Sequence, residues 1–341
     1  MRKLSVIEID RLNIALMVLS VIPALLLPFS TFLFVYAFLG PLHYLTEINW
    51  LHKKQYFTQN HYEYSFIYII IGVIGVLIFT RTFLKPYVPV LTFIAFFSAL
   101  GFVSLKNSRQ KAIFTALFSI IGLLLFFGIN KYFKMVFSIL MPTIVHVFIF
   151  TALFIILGAL KSKSPTGMAS VMVFAVCAAI TLSVGTGYNM EVVSQTLHDN
   201  HRSFRSLNTV LMALFGMFGN SATDAPGIAA NSGFSAADLS IYFSETGIRV
   251  MRFIAFAYTY HYLNWFSKTS VIQWHNTKKI NLVLIFTIWI ASVILYVFDY
   301  KTGLKWLFIL SFGHVLLEFP LNHRSFIEIK QRLTTKLSTP S

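Results

Sequence analysis

The chain has 341 residues, of which 57% are hydrophobic and only 11% charged, with 36 phenylalanines and a formal net charge of +15. A soluble domain carries about 25% charged residues, so this composition excludes an ordinary soluble protein. The basic residues stand in short clusters between apolar runs (Lys106, Arg109 and Lys111; Lys131 and Lys134; Lys161 and Lys163; Lys278 and Lys279), where anchors to lipid headgroups belong, so the charge points to the lipid bilayer as partner and not to nucleic acid.

Runs of about 20 apolar residues mark membrane-spanning helices. Met1-Arg2-Lys3 before an apolar stretch resembles a signal peptide, but the run from Ile14 to Leu39 is too long for one and has no small-residue cleavage site. It reads as the first span, roughly 12–40, kinked at Pro23 and Pro28. Further spans follow at roughly 65–84, 87–105, 112–130, 133–160 (with Pro142), 168–187, 248–267, 280–298 and 303–321. The expected fold is an all-α, polytopic integral membrane helix bundle of about eight or nine spans, a single transmembrane domain over 1–341. The stretch 189–247 is the one sizeable break, expected as an extramembrane loop with an interfacial or re-entrant helix near 207–218. Within it, the Gly/Ala/Ser-rich segment from Gly219 and the acidic Asp224, Asp238 and Glu245 are expected to face water. Lys and Arg are shared too evenly among the loops to orient the chain. The single cysteine, Cys177, lies in an apolar run and reads as an inert core thiol. Asn-His-Arg-Ser-Phe occurs at both 200–204 and 322–326.

Ionisable side chains in hydrocarbon cost on the order of 2.5–3.5 kcal/mol each on insertion scales, so each needs a reason. Four of the ten histidines, His43, His146, His261 and His314, fall within or at the ends of the expected spans. The other six (His52, His61, His198, His201, His275 and His323) lie in loops or near helix ends, where a solvated role is expected. Glu47 follows His43 by four residues and Glu318 follows His314 by four, a spacing that puts carboxylate and imidazole on one helix face. His261 has no such partner; Asn264 and Trp265 stand nearby, and Tyr258, Tyr260 and Tyr262 alternate around it as an aromatic belt or pocket wall. In a nine-span reading the four histidines sit on spans one, five, seven and nine, which cross in the same direction. Imidazoles converging with carboxylates suit a transition metal, with Glu47 and Glu318 as ligands or as acceptors that fix an imidazole tautomer. A proton relay and interhelical hydrogen bonding remain alternatives. His198-x-x-His201, beside Asp199 and Arg202, reads as a solvated polar turn. No Walker A loop, serine-nucleophile motif or Cys-x-x-Cys is present.

Gly40-Pro41-Leu42-His43 with Glu47 resembles the first motif of the Brp/Blh family of bacterial and archaeal membrane proteins, which includes β-carotene 15,15′-dioxygenases. Tyr260-His261-Tyr262 and Gly313-His314 also fall where that family has intramembrane histidines. The resemblance covers scattered motifs. It departs from the family at Glu47, where an Asp is usual, at Trp265, where a second histidine would stand, and in a longer gap from His43 to His146. It implies non-haem Fe(II) and cleavage of a carotenoid-like substrate. The leading expectation is a membrane-embedded, metal-dependent oxygenase acting on a lipophilic substrate in a bacterial inner membrane. A proton-coupled small-solute transporter and a non-catalytic membrane subunit are the rivals.

Overall fold

The computed structural model describes residues 5–80, 84–216, 235–268 and 277–338, and among these the chain is almost entirely helical, with no strand. Most of the Gly/Ala/Ser-rich segment, with Asp224, and His275 lie outside the described residues. In chain order the helices are α1 (Val6–Leu26), α2 (Pro28–Lys53), α3 (His61–Phe79), α4 (Val88–Ser104), α5 (Ser108–Gly128), α6 (Asn130–Ser162), α7 (Pro165–Ser183), α8 (Gln195–His201), α9 (Arg205–Gly216), α10 (Ala236–Phe243), α11 (Glu245–Ser267), α12 (Lys279–Phe298) and α13 (Tyr300–Ser338). Nine described helices (α1 to α7, α12 and α13) are long and apolar enough to cross a membrane, and the chain is an integral membrane helix bundle.

Two differences from the expected spans have clear causes. The expected first span, 12–40, is two helices that break at Leu27. Pro28 has no N–H to donate into α1 but suits the first position of α2. The Glu191 carboxylate then accepts from the Phe29 and Ser30 amides at 2.9 and 3.1 Å and from the Ser30 hydroxyl, satisfying the exposed N–H groups of the new helix. The second difference is α11, expected as a span, which falls outside the nine. It carries Glu245, Arg249 and Arg252, yet is buried along almost its whole length from Met251 to Tyr262. Residues 189–247 contain α8, α9 and α10. Helix α9, with 12 residues, rises only about 18 Å at ~1.5 Å per residue, short of a hydrocarbon core about 30 Å thick.

The chain forms two compact units. The first comprises residues 1–36 and 164–268. Its central helix is α11, which packs against α1, the start of α2, α7, α9 and α10. Ser267 donates to Asn13 Oδ1 at 2.7 Å and Arg252 donates to Leu25 O at 3.1 Å, so α1 and α11 run antiparallel. Phe32 meets Tyr258 edge to face, so the start of α2 runs back along α11 and the chain reverses at Leu27. Tyr258, Tyr260 and Tyr262 are all buried, interior packing and not an aromatic belt. Cys177 is buried as well.

The second unit comprises residues 37–163 and 269–341. Helix α13 is its centre and packs against the later part of α2, α3, α4, α6 and α12. Val315, Leu316, Leu317 and Phe319 are essentially solvent-free. A second layer is aromatic: Val90, Phe93, Phe126 and Phe133 form a cluster between α4, α5 and the start of α6.

Candidate metal centre

Two of the three helices that carry the buried histidines of the second unit share a feature that follows from their prolines. A proline leaves the carbonyl four residues before it without its helical donor. For Pro41 that carbonyl belongs to Ala37, and for Pro142 to Ser138. Residues Val35–Leu39 just before Pro41, and Met135–Phe150 around Pro142, adopt the wider π-helical turn, a local rearrangement common at functional sites. His43 follows the first stretch and His146 lies inside the second. The third helix, α13, carries His314 and, six residues later, Pro320.

His43, His146 and His314 are each 1% exposed, and each can turn a ring nitrogen inward such that these nitrogens all lie within 4.8 Å of one another. Behind them stand oxygens. Glu318 Oε2 is 2.9 Å from His146 Nδ1, and Glu47 Oε2 is 3.1 Å from His43 Nε2. The Leu310 carbonyl is 3.4 Å from His314 Nδ1. The Glu47–His43 and Leu310–His314 contacts call for an N–H, which puts a proton on His43 Nε2 and on His314 Nδ1; the Glu318–His146 contact is as close but is not aligned as a hydrogen bond. The lone pairs of His314 and His43 then sit on Nε2 and Nδ1. His146 Nε2 lies 3.0 Å from His314 Nε2, a contact that takes either an N–H of His146 donating to His314 or a cation between the two nitrogens. Two ligands bonded to one metal at about 2.0–2.1 Å lie roughly 3.0–3.4 Å apart, so the spacing of this pair fits two ligands of one metal. Tyr44 stacks on the His314 ring at 4.3 Å between centroids and fixes its plane.

The expected pairing is therefore rearranged. Glu318 reaches His146 across the helices, while His314, its neighbour in sequence, is held by its own helix carbonyl. Both carboxylates back the imidazoles from outside. His261 is buried on α11 and belongs to the first unit.

Several other expectations need correction. His201, expected to be solvated, is fully buried; its Nδ1 lies 3.0 Å from the Tyr242 hydroxyl and its ring packs edge-on against Phe29. Burial, aided by His198 nearby, pulls its pKa down to about 3, so His201 is neutral. His198 lies 3.6 Å from Asp238, which Arg205 holds at 3.1 Å. The repeated pentapeptide places His323 inside α13, also buried, bonded to the Phe96 carbonyl at 2.8 Å; we have no physical account of the repeat. Lys111, expected at the lipid headgroups, is 1% exposed and forms a 2.6 Å ion pair with Glu63, completed by Gln59 and Asn60. Sequence reasoning passed over Glu63 and Arg252, although each is a charge inside or at the mouth of an apolar run.

Compared with family models, curated proteins and solved structures, the chain shows no significant match.

Proposed function

We propose that the chain is a membrane-embedded, metal-dependent oxygenase acting on a lipophilic, carotenoid-like substrate, with His43, His146 and His314 as metal ligands and Glu47 and Glu318 orienting them. The observation that carries this reading is the 3.0 Å approach of His146 Nε2 to His314 Nε2, with the opposite nitrogen of each ring already facing an oxygen. Neutral imidazoles suit iron, zinc or copper. The resemblance of the His43 motif to the Brp/Blh family favours Fe(II), which when bound with open positions would supply dioxygen chemistry. The protein's own part is to hold three ring nitrogens close together and away from water. On sequence grounds His261 is a candidate further ligand, and a bacterial inner membrane is the proposed location.

The same geometry favours one rival. A proton shared along Glu318, His146 and His314 would also account for the close His146–His314 contact and would suit a proton-coupled transporter. Elemental mass spectrometry of detergent-purified protein separates the two. The oxygenase reading expects about one iron per chain, lost in the His43→Ala/His314→Ala double variant and reduced in His261→Ala if that residue also binds. No metal after reconstitution with Fe²⁺, together with a proteoliposome flux that follows a pH gradient, would replace it with the transporter.

A further inference from the structure

Arg252 is a buried cation that has no carboxylate partner among the described residues. The side chain is 0% exposed. Its Nε donates to Leu25 O at 3.1 Å, and its Nη1 to Val184 O and Gly185 O at 3.0 Å each. These carbonyls lie at the C-terminal ends of α1 and α7, where helix dipoles place partial negative charge. They soften the charge of the guanidinium but do not cancel it, and its Nη2 has no acceptor among the described residues. One turn earlier on α11, Arg249 repeats the pattern. Its Nη2 is held by Glu245 Oε1 at 2.6 Å, while its Nε is buried and has no acceptor among the described residues. Residues three apart on a helix are neighbours, with Cβ atoms about 5–6 Å apart, so two guanidiniums and two unused donors share one stretch of the helix.

Among the described residues, Glu191 and Glu245 are committed elsewhere. Glu191 caps α2, and Glu245 is taken by Arg249. A water could accept a hydrogen bond from Nη2 but would leave the charge unanswered, and a buried unpaired charge is what folded proteins avoid. An anion with several oxygens can accept from both arginines at once. Depth narrows the class further. The carbonyls that hold Arg252 mark the ends of two spanning helices, the level at which a bilayer presents its phosphates.

We propose that Arg252 and Arg249 form a binding site for a phosphate group in the first unit, independent of the histidine centre. A phospholipid headgroup and free inorganic phosphate share this chemistry, and the test distinguishes them. Full-length protein, purified in detergent and stripped of lipid, would be offered phosphatidylglycerol or, as a phosphate-free control, diacylglycerol, with bound adducts counted by native mass spectrometry. Inorganic phosphate would be titrated calorimetrically against the same preparation. Wild type is expected to bind phosphatidylglycerol and not diacylglycerol; affinity should fall about tenfold in Arg249→Gln and vanish in Arg252→Met. A calorimetric response to inorganic phosphate assigns the site to the free anion, and its absence alongside phosphatidylglycerol binding assigns it to the headgroup. Wild type that binds neither, or Arg249→Gln that binds as tightly as wild type, overturns the proposal. Because Arg249 is partly exposed, its variant decides the matter even if Arg252→Met fails to fold.

Discussion

At the scale of single residues, the centre depends less on the histidines being present than on which nitrogen each one offers. Glu318 is the sharpest case. Its carboxylate is 2.9 Å from His146 Nδ1, and under the proposed function it would hold a proton there and leave Nε2 for a metal. Replacing it by Leu should lower metal affinity roughly 10–100-fold, read by competition against a chelator, whereas Glu318→Gln, whose amide oxygen still accepts, should lose less. Equal affinities in all three proteins would mean the carboxylate plays no orienting part. His201 offers a pH test far from that centre. Its pKa is about 3 when folded against about 6.5 for a free histidine. Between these values the unfolded chain binds a proton that the folded chain refuses, so stability falls as pH drops from about 6.5 to 3, by at most about 1.4 kcal/mol per pH unit from this group. Below that window the effect levels off. His201→Phe, which keeps an aromatic ring among Phe29, Phe32 and Phe204, should flatten the slope in pH-dependent denaturation. A slope unchanged by the substitution would assign it to other groups, His198 and Asp238 first.

Among the elements, two local structures test different costs. The buried Glu63–Lys111 pair links the starts of α3 and α5. Removing one partner strands a charge, so Lys111→Met alone should cost about 3–5 kcal/mol, while the double change with Glu63→Leu should recover most of it. A double variant as unstable as the single one would show that Gln59 and Asn60 need the ion pair to hold their places. The turn between α2 and α3 stores strain. Gln55, Tyr56 and Phe57 have φ of 49°, 53° and 57° in succession, a left-handed run that costs L-residues roughly 1–2 kcal/mol apiece. What offsets it is Tyr56, fully buried, with its hydroxyl against Tyr68 and 3.1 Å from His52 Nδ1. Gln55 is exposed and makes no such contact through its side chain, so Gln55→Gly should raise stability by up to about 1 kcal/mol, and Tyr56→Ala should lower it by several times that. A loss on Gln55→Gly would mean that the conformation is not strained.

For the whole molecule, what the sequence made legible follows from what lipid demands locally. Spans are legible because a helix facing hydrocarbon must be apolar over a set length, and His43, His146, His314, Glu47 and Glu318 stand out against that background as polar residues without an excuse. Which carboxylate meets which imidazole was not legible: the i to i+4 rule pairs Glu318 with His314, but the packing of α6 on α13 brings it to His146. Nor was the break at Leu27, since hydropathy runs through it without a pause and only Pro28 and the distant Glu191 mark the corner. Helix α11 was legible as the span expected at 248–267, yet Arg252, the tyrosines, His261 and Asn264 leave it less apolar than the other nine, because a helix enclosed by protein need not be apolar. That last point changes the crossing count. Helix α11 has 23 residues, about 34 Å at 1.5 Å per residue, and runs antiparallel alongside α1, itself long and apolar enough to span. Polar residues at membrane depth are tolerated where neighbouring helices enclose them. If α11 crosses together with the nine apolar helices, the described helices make ten crossings, an even number, which predicts that Ser5 and Lys330 lie on one side of the membrane. In a Cys177→Ala background, an impermeant maleimide should therefore label Ser5→Cys and Lys330→Cys from the same side of sealed vesicles. Labelling from opposite sides would mean that one of the ten does not cross, and α11, which stands outside the nine long apolar helices, would be the first to reassign.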